Sequence, residues 1–76
     1  MDLGDNKISN ISVLENVNFK EMKELYLYNN NISDIKVLLR VKFELLEKLD
    51  LRYNEIDENK YSYIIENLES KFELNI

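Results

Sequence analysis

The chain has 76 residues, enough for one small domain, with 33% charged residues and a formal net charge of −5. It lacks cysteine and histidine, so neither a disulfide nor a zinc site built on those ligands is available, and its acidity argues against direct contact with a phosphate backbone. No apolar run approaches the roughly 18–20 residues that span a bilayer, and the acidic opening Met1-Asp2-Leu3-Gly4-Asp5, without an apolar stretch, is not expected to act as a signal peptide.

The first predicted element is a strand that begins at Met1. It belongs to a pattern, apolar-x-Leu-x-x-Asn-x-Ile, which ends at Asn6 and Ile8. The pattern returns as Leu25-Tyr26-Leu27-Tyr28-Asn29-Asn30-Asn31-Ile32 and as Leu49-Asp50-Leu51-Arg52-Tyr53-Asn54-Glu55-Ile56. The starts at 1, 25 and 49 are 24 residues apart, within the range of repeat architectures.

After the first strand, Ile8, Ile11, Leu14 and Val17 recur every third residue. That spacing keeps one face inward on 3₁₀ or short α turns. The second strand is expected near 24–28. Leu25 and Leu27 alternate with period two and face one side, and Tyr26 and Tyr28 face the other. Ile32, Ile35, Leu38 and Val41 repeat the three-residue spacing, so turns or a short helix are expected over about 35–46. The third strand is expected near 48–52. The register then shifts. Tyr61, Ile64, Ile65 and Leu68 form a helical stripe, with Asp57 or Asn59 as a candidate cap, and Tyr63 outside it. A last strand is expected over 72–76, with Phe72 placed 23 residues after Leu49.

Asn6, Asn30 and Asn54 each follow a strand, where the chain turns inward. An Asn side chain both donates and accepts, so stacked copies would form a ladder that pairs the backbone groups of the turns. Asn also favours turns in its own right and is abundant here.

At these residues the chain resembles the leucine-rich repeat family. The runs Asn6-Ile8-Ile11-Leu14 and Asn30-Ile32-Ile35-Leu38 are most similar to its protein phosphatase regulator-like subclass, although that subclass usually repeats every ~22 residues. The resemblance covers residues 1–76, divided as repeats of about 1–24, 25–48 and 49–71 and a terminal strand 72–76. It implies an α/β solenoid with a short parallel sheet on the concave face, 3₁₀ or short helical turns on the convex side, and a role in protein–protein binding.

On the expected concave face the variable positions include Asp2, Gly4, Tyr26, Tyr28, Asp50, Arg52, Glu73 and Asn75. Tyr26 should lie beside Asp50, Tyr28 beside Arg52, and Tyr53 should flank them. Tyr and Arg are enriched at interface hot spots, and an Arg over a Tyr ring gains roughly 0.5–1 kcal/mol at an exposed site. Tyr26, Tyr28, Asp50, Arg52 and Tyr53 are therefore the candidate partner-binding residues. The tyrosines also suit a strand through β propensity and cross-strand pairing alone. Glu24 and Lys48 read, with the other charged residues between the repeats, as part of a solvated convex and loop surface.

These features suggest a non-enzymatic binding module for a protein or peptide, with no cofactor, metal, nucleic acid or membrane contact of its own. The alternatives are a purely structural segment of a larger repeat protein and a scaffold for an RNA-binding partner. A nucleophile–base pair with His or Cys is impossible here, which leaves Ser–Lys and carboxylate pairs as the formal alternatives, and Gly4, the only glycine, is not placed for a calcium loop. The lack of cysteine is compatible with a reducing, intracellular setting, cytoplasmic or nuclear. Starting and ending in strands, the chain reads as a fragment or an incompletely capped array. An apolar flank of Leu3, Ile8, Ile11 and Leu14 is then expected to stay open and to support end-to-end self-association.

Overall fold

A computed structural model describes residues 1–17 and 19–76. Its elements are a 3₁₀ turn Ser12–Asn16, strand β1 Glu24–Tyr26, a 3₁₀ turn Lys36–Leu39, strand β2 Lys48–Asp50, helix α1 Ser62–Glu69 and strand β3 Glu73–Asn75. The strands form one parallel sheet in the order β1-β2-β3. Asp2 makes a parallel bridge to Tyr26, so the N-terminal segment lies along the outer side of β1.

Each strand is short, but its ladder continues past it. Leu27 N donates to Asp50 O at 2.8 Å, Asn29 N to Arg52 O at 2.8 Å, and Leu51 N to Asn75 O at 2.7 Å. On the other side Leu3 N donates to Tyr26 O at 2.8 Å and Asp5 N to Tyr28 O at 3.1 Å. The ladder is broken where Asp5, Asn29 and Tyr53 take φ of 57°, 56° and 61°. These three residues sit 24 apart, and each left-handed residue turns the chain off the sheet.

The two 3₁₀ turns are built alike. Asn10 Oδ1 accepts from Ser12 N at 2.9 Å and Asp34 Oδ1 from Lys36 N at 3.0 Å. Leu14 N then donates to Ile11 O, and Leu38 N to Ile35 O, both at 3.0 Å. Both turns pack on each other. Residue spacing of three points Ile11, Leu14, Ile35 and Leu38 into the core, where all four are buried. Ile11 and Leu14 are thus not part of an open flank, contrary to the expectation above. Leu3 and Ile8 are half-buried, and the exposed apolar side chains of residues 1–17 are Met1, Val13 and Val17.

The third return is different. Asp57 Oδ1 accepts from Asn59 N and Lys60 N, each at 3.1 Å, and so caps a turn rather than the helix. Tyr61 is the N-cap residue of α1, with no side-chain cap bond. Tyr61, Ile64, Ile65 and Leu68 face the core, and Tyr63 is exposed. An α-helix rises ~1.5 Å per residue against ~2.0 Å for a 3₁₀ turn, so this return needs more residues to cover its distance. Leu74 accordingly pairs with Leu49, 25 positions on, and Phe72 does not. Phe72 lies before β3, where its ring meets Phe43 at 5.6 Å, and Phe43 meets Phe19 at 5.3 Å.

The core is one cluster in which Leu25, Leu27, Ile32, Ile35, Leu49, Leu51, Ile64 and Leu68 are almost completely buried. Leu25 and Leu49 sit side by side in the sheet, and each such side chain contributes roughly 1.5–3 kcal/mol on burial.

Candidate docking face

The side chains that alternate with these leucines point to the opposite side of the sheet. Register pairs Tyr26 with Asp50 and Asp50 with Asn75, and pairs Glu24 with Lys48 and Lys48 with Glu73. Glu24 and Lys48 therefore stand on this face. Strands β1 and β2 begin at 24 and 48, as expected, but these two residues lie on the sheet face and not on the convex and loop surface to which their charge assigns them.

Tyr26 and Tyr28 meet edge to face, with ring centroids 6.3 Å apart at 75°. Both rings are half-buried. The Tyr26 hydroxyl donates to Glu24 Oε2, and that bond, the larger cause, with the surrounding carboxylates, raises the phenol above its ordinary range. Tyr28 is raised chiefly by the charge of Asp2, whose Oδ2 lies 3.4 Å from its hydroxyl. The Tyr28 ring lies over Gly4, where a Cβ would overlap it. Gly4 is thus the seat of that ring. The alignment of position 4 with position 28 on the neighbouring strand was the available signal for it.

Asp50 and Arg52 form a unit. Arg52 donates Nε at 3.0 Å and Nη2 at 2.7 Å to the two carboxylate oxygens, and its backbone N donates to Oδ1 at 3.1 Å. The Asp50 side chain is 1% exposed and that of Arg52 is 51% exposed. The Arg52 hydrogen bonds hold the Asp50 carboxyl below its ordinary range, against the opposing effect of burial. Asp50 is therefore covered and not available to a partner. Arg52 is tied to Asp50 rather than laid over a tyrosine, because a charge-assisted bidentate bond outweighs an exposed ring contact. The cation over a ring on this face is Lys48, whose Nζ lies 5.6 Å from the Tyr26 centroid and 3.6 Å from Glu73 Oε2.

Tyr53 lies beyond the strand and is 76% exposed. Its equivalents are Asp5 and Asn29, residue types that tolerate left-handed backbone, whereas Tyr does not. Tyr53→Asn is therefore expected to stabilise the chain by about 1 kcal/mol, measured by urea unfolding. A loss of stability would mean that the ring gains more by packing than the backbone loses.

At the turn edge of the face, Asn30 is buried and Asn54 half-buried. Asn30 Nδ2 donates to Leu3 O, Leu27 O and Tyr28 O at 3.0–3.1 Å, and its Oδ1 accepts from Ile8 N at 3.0 Å. Asn54 repeats this one coil on, with Leu27 O at 2.9 Å, Leu51 O at 3.0 Å, Arg52 O at 3.4 Å and Ile32 N at 3.0 Å. Asn6 is exposed and reaches only Leu3 O and Gly4 O within its own coil.

Among the described residues, no helix is long and apolar enough to cross a membrane, and no group of three His, Cys, Asp or Glu side chains is placed to hold a metal. No family model, curated protein or solved structure matches the chain.

Proposed function

We propose that this chain is a leucine-rich repeat binding module that holds an extended protein segment across its sheet face and performs no chemistry of its own. The observation that supports this best is the recurrence of cross-coil bonds. Ile8 N to Asn30 Oδ1 is followed by Ile32 N to Asn54 Oδ1, and Asn31 N to Ile8 O by Glu55 N to Ile32 O. Stacked coils of this kind leave one sheet face uncovered, and here that face carries two tyrosines rather than a featureless charged surface. The setting that goes with this reading is the cytoplasm or nucleus, with which a cysteine-free chain is compatible.

The test removes the rings and leaves the Asp50–Arg52 unit intact. Tyr26→Ser with Tyr28→Ser is expected to weaken binders selected from a displayed peptide library at least ~10-fold, as expected for two aromatic anchors. The urea midpoint should change little, because neither tyrosine lies in the apolar core. Binders that are indifferent to both substitutions would place docking elsewhere.

A further inference from the structure

We infer that the segment held on this face is cationic, with Lys or Arg side chains seated against Tyr26, Tyr28, Asp2 and Glu24. The inference rests on the docking role proposed above and adds the chemistry of the partner.

Both cations of the face already have anionic partners. Lys48 is paired with Glu73 at 3.6 Å and Arg52 with Asp50 at 2.7 Å. Asp2 and Glu24 remain, and among the described residues neither carboxylate has a cationic side chain within ion-pair distance. The terminal ammonium donates to the Glu24 carbonyl, not to its carboxylate. The hydroxyls of Tyr26 and Tyr28 are directed at these two carboxylates. Two rings, one of them already faced by Lys48, and two carboxylates without an ion-pair partner thus share one small area.

That combination selects a cation. Lys48 already occupies a position over the Tyr26 ring, which shows that an ammonium fits the geometry. An incoming Lys or Arg would meet a ring face and a carboxylate together, and the contact strengthens as water leaves. An acidic segment would meet Asp2 and Glu24 with like charge and a chain of net charge −5. An apolar segment would strip water from both carboxylates and return no hydrogen bond.

The experiment titrates the ¹⁵N-labelled 76-residue chain with three end-capped extended peptides, identical except for Lys, Gln or Glu at alternate positions. The Lys peptide is expected to shift the amides of Asp2, Gly4, Tyr26 and Tyr28, to bind at least ~10-fold tighter than the Gln peptide, and to weaken as salt is raised. The Glu peptide is expected not to bind. Asp2→Asn with Glu24→Gln, both at exposed sites, should remove the preference for Lys. Equal binding of the three peptides on this face overturns the cationic preference and leaves the docking role standing. Shifts confined to residues away from the face overturn both. Absence of binding by the Lys peptide overturns the preference.

Discussion

Asn30→Ala is expected to destabilise the chain by about 2–4 kcal/mol, and Asn6→Ala by less than about 1 kcal/mol, although the two residues occupy the same place in the recurring sequence pattern. A chain of this length holds about 4–11 kcal/mol in all, so the first loss is a large share. Asn30 bridges coils, and Asn6 does not. Removing the Asn30 side chain takes the acceptor from Ile8 N. Its three carbonyl partners are better protected: Leu27 O keeps Asn54, Leu3 O keeps Asn6, and Tyr28 O keeps Asp5 N. The cost thus comes mainly from one stranded N–H, a buried void and the loss of a tie between coils, not from four separate orphans. Asn30→Asp should be worse than Ala at neutral pH, because a carboxylate oxygen would replace the amide that faces three carbonyls. Urea unfolding followed by circular dichroism checks all three variants. Equal losses for Asn30→Ala and Asn6→Ala would mean that the cross-coil bonds add nothing beyond the local turn.

Much of this arrangement is legible in the sequence because a single register carries it. Leu25 and Leu27 alternate, Leu49 and Leu51 do the same 24 residues on, and both pairs are buried. The helical stripe from Tyr61 to Leu68 faces the core. Chemical type misleads where it conflicts with register. Charge alone assigns Glu24 and Lys48 to the solvated loops, yet they begin β1 and β2 and stand on the tyrosine face. Apolar character alone aligns Phe72 with Leu49, and the slower rise of α1 gives that place to Leu74. Side-chain pairing is the least legible level. By sequence Arg52 has a tyrosine at the facing strand position and a carboxylate two residues back, and the bidentate bond to Asp50 decides between them. The left-handed turns have a partial signal. Asp5 and Asn29 suit that backbone, and Tyr53 is placed there by alignment alone.

The pairing of Asp50 with Arg52 predicts an asymmetry that composition does not reveal. Arg52→Met is expected to cost more stability at pH 7 than Asp50→Asn. The first substitution leaves a carboxylate that is 1% exposed without its counterion, and a buried charge stripped of its partner is strongly unfavourable. The second leaves a half-exposed guanidinium that water can solvate, and the side-chain carbonyl it introduces would still accept from the Arg52 backbone N–H. The pH dependence separates this account from a simple loss of packing. The Asp50 carboxyl lies below its ordinary value of 3.8, chiefly through the Arg52 side-chain bonds. Its contribution is therefore present above pH ~3.8 and disappears as pH falls through the lower folded value. In Arg52→Met the largest cause of the lowering is gone and burial opposes ionisation, so the carboxyl moves up. The stability gap between the natural chain and Arg52→Met should thus be widest at neutral pH and narrow steadily towards acid, as the carboxyl is protonated in both. The gap for Asp50→Asn should also narrow towards acid, because only the natural chain then has a carboxyl at this position to protonate. Urea midpoints measured from pH 7 down to the acid limit test this, and a gap for Arg52→Met that stays constant with pH would mean that Arg52 stabilises the fold through its contacts alone and not through its charge.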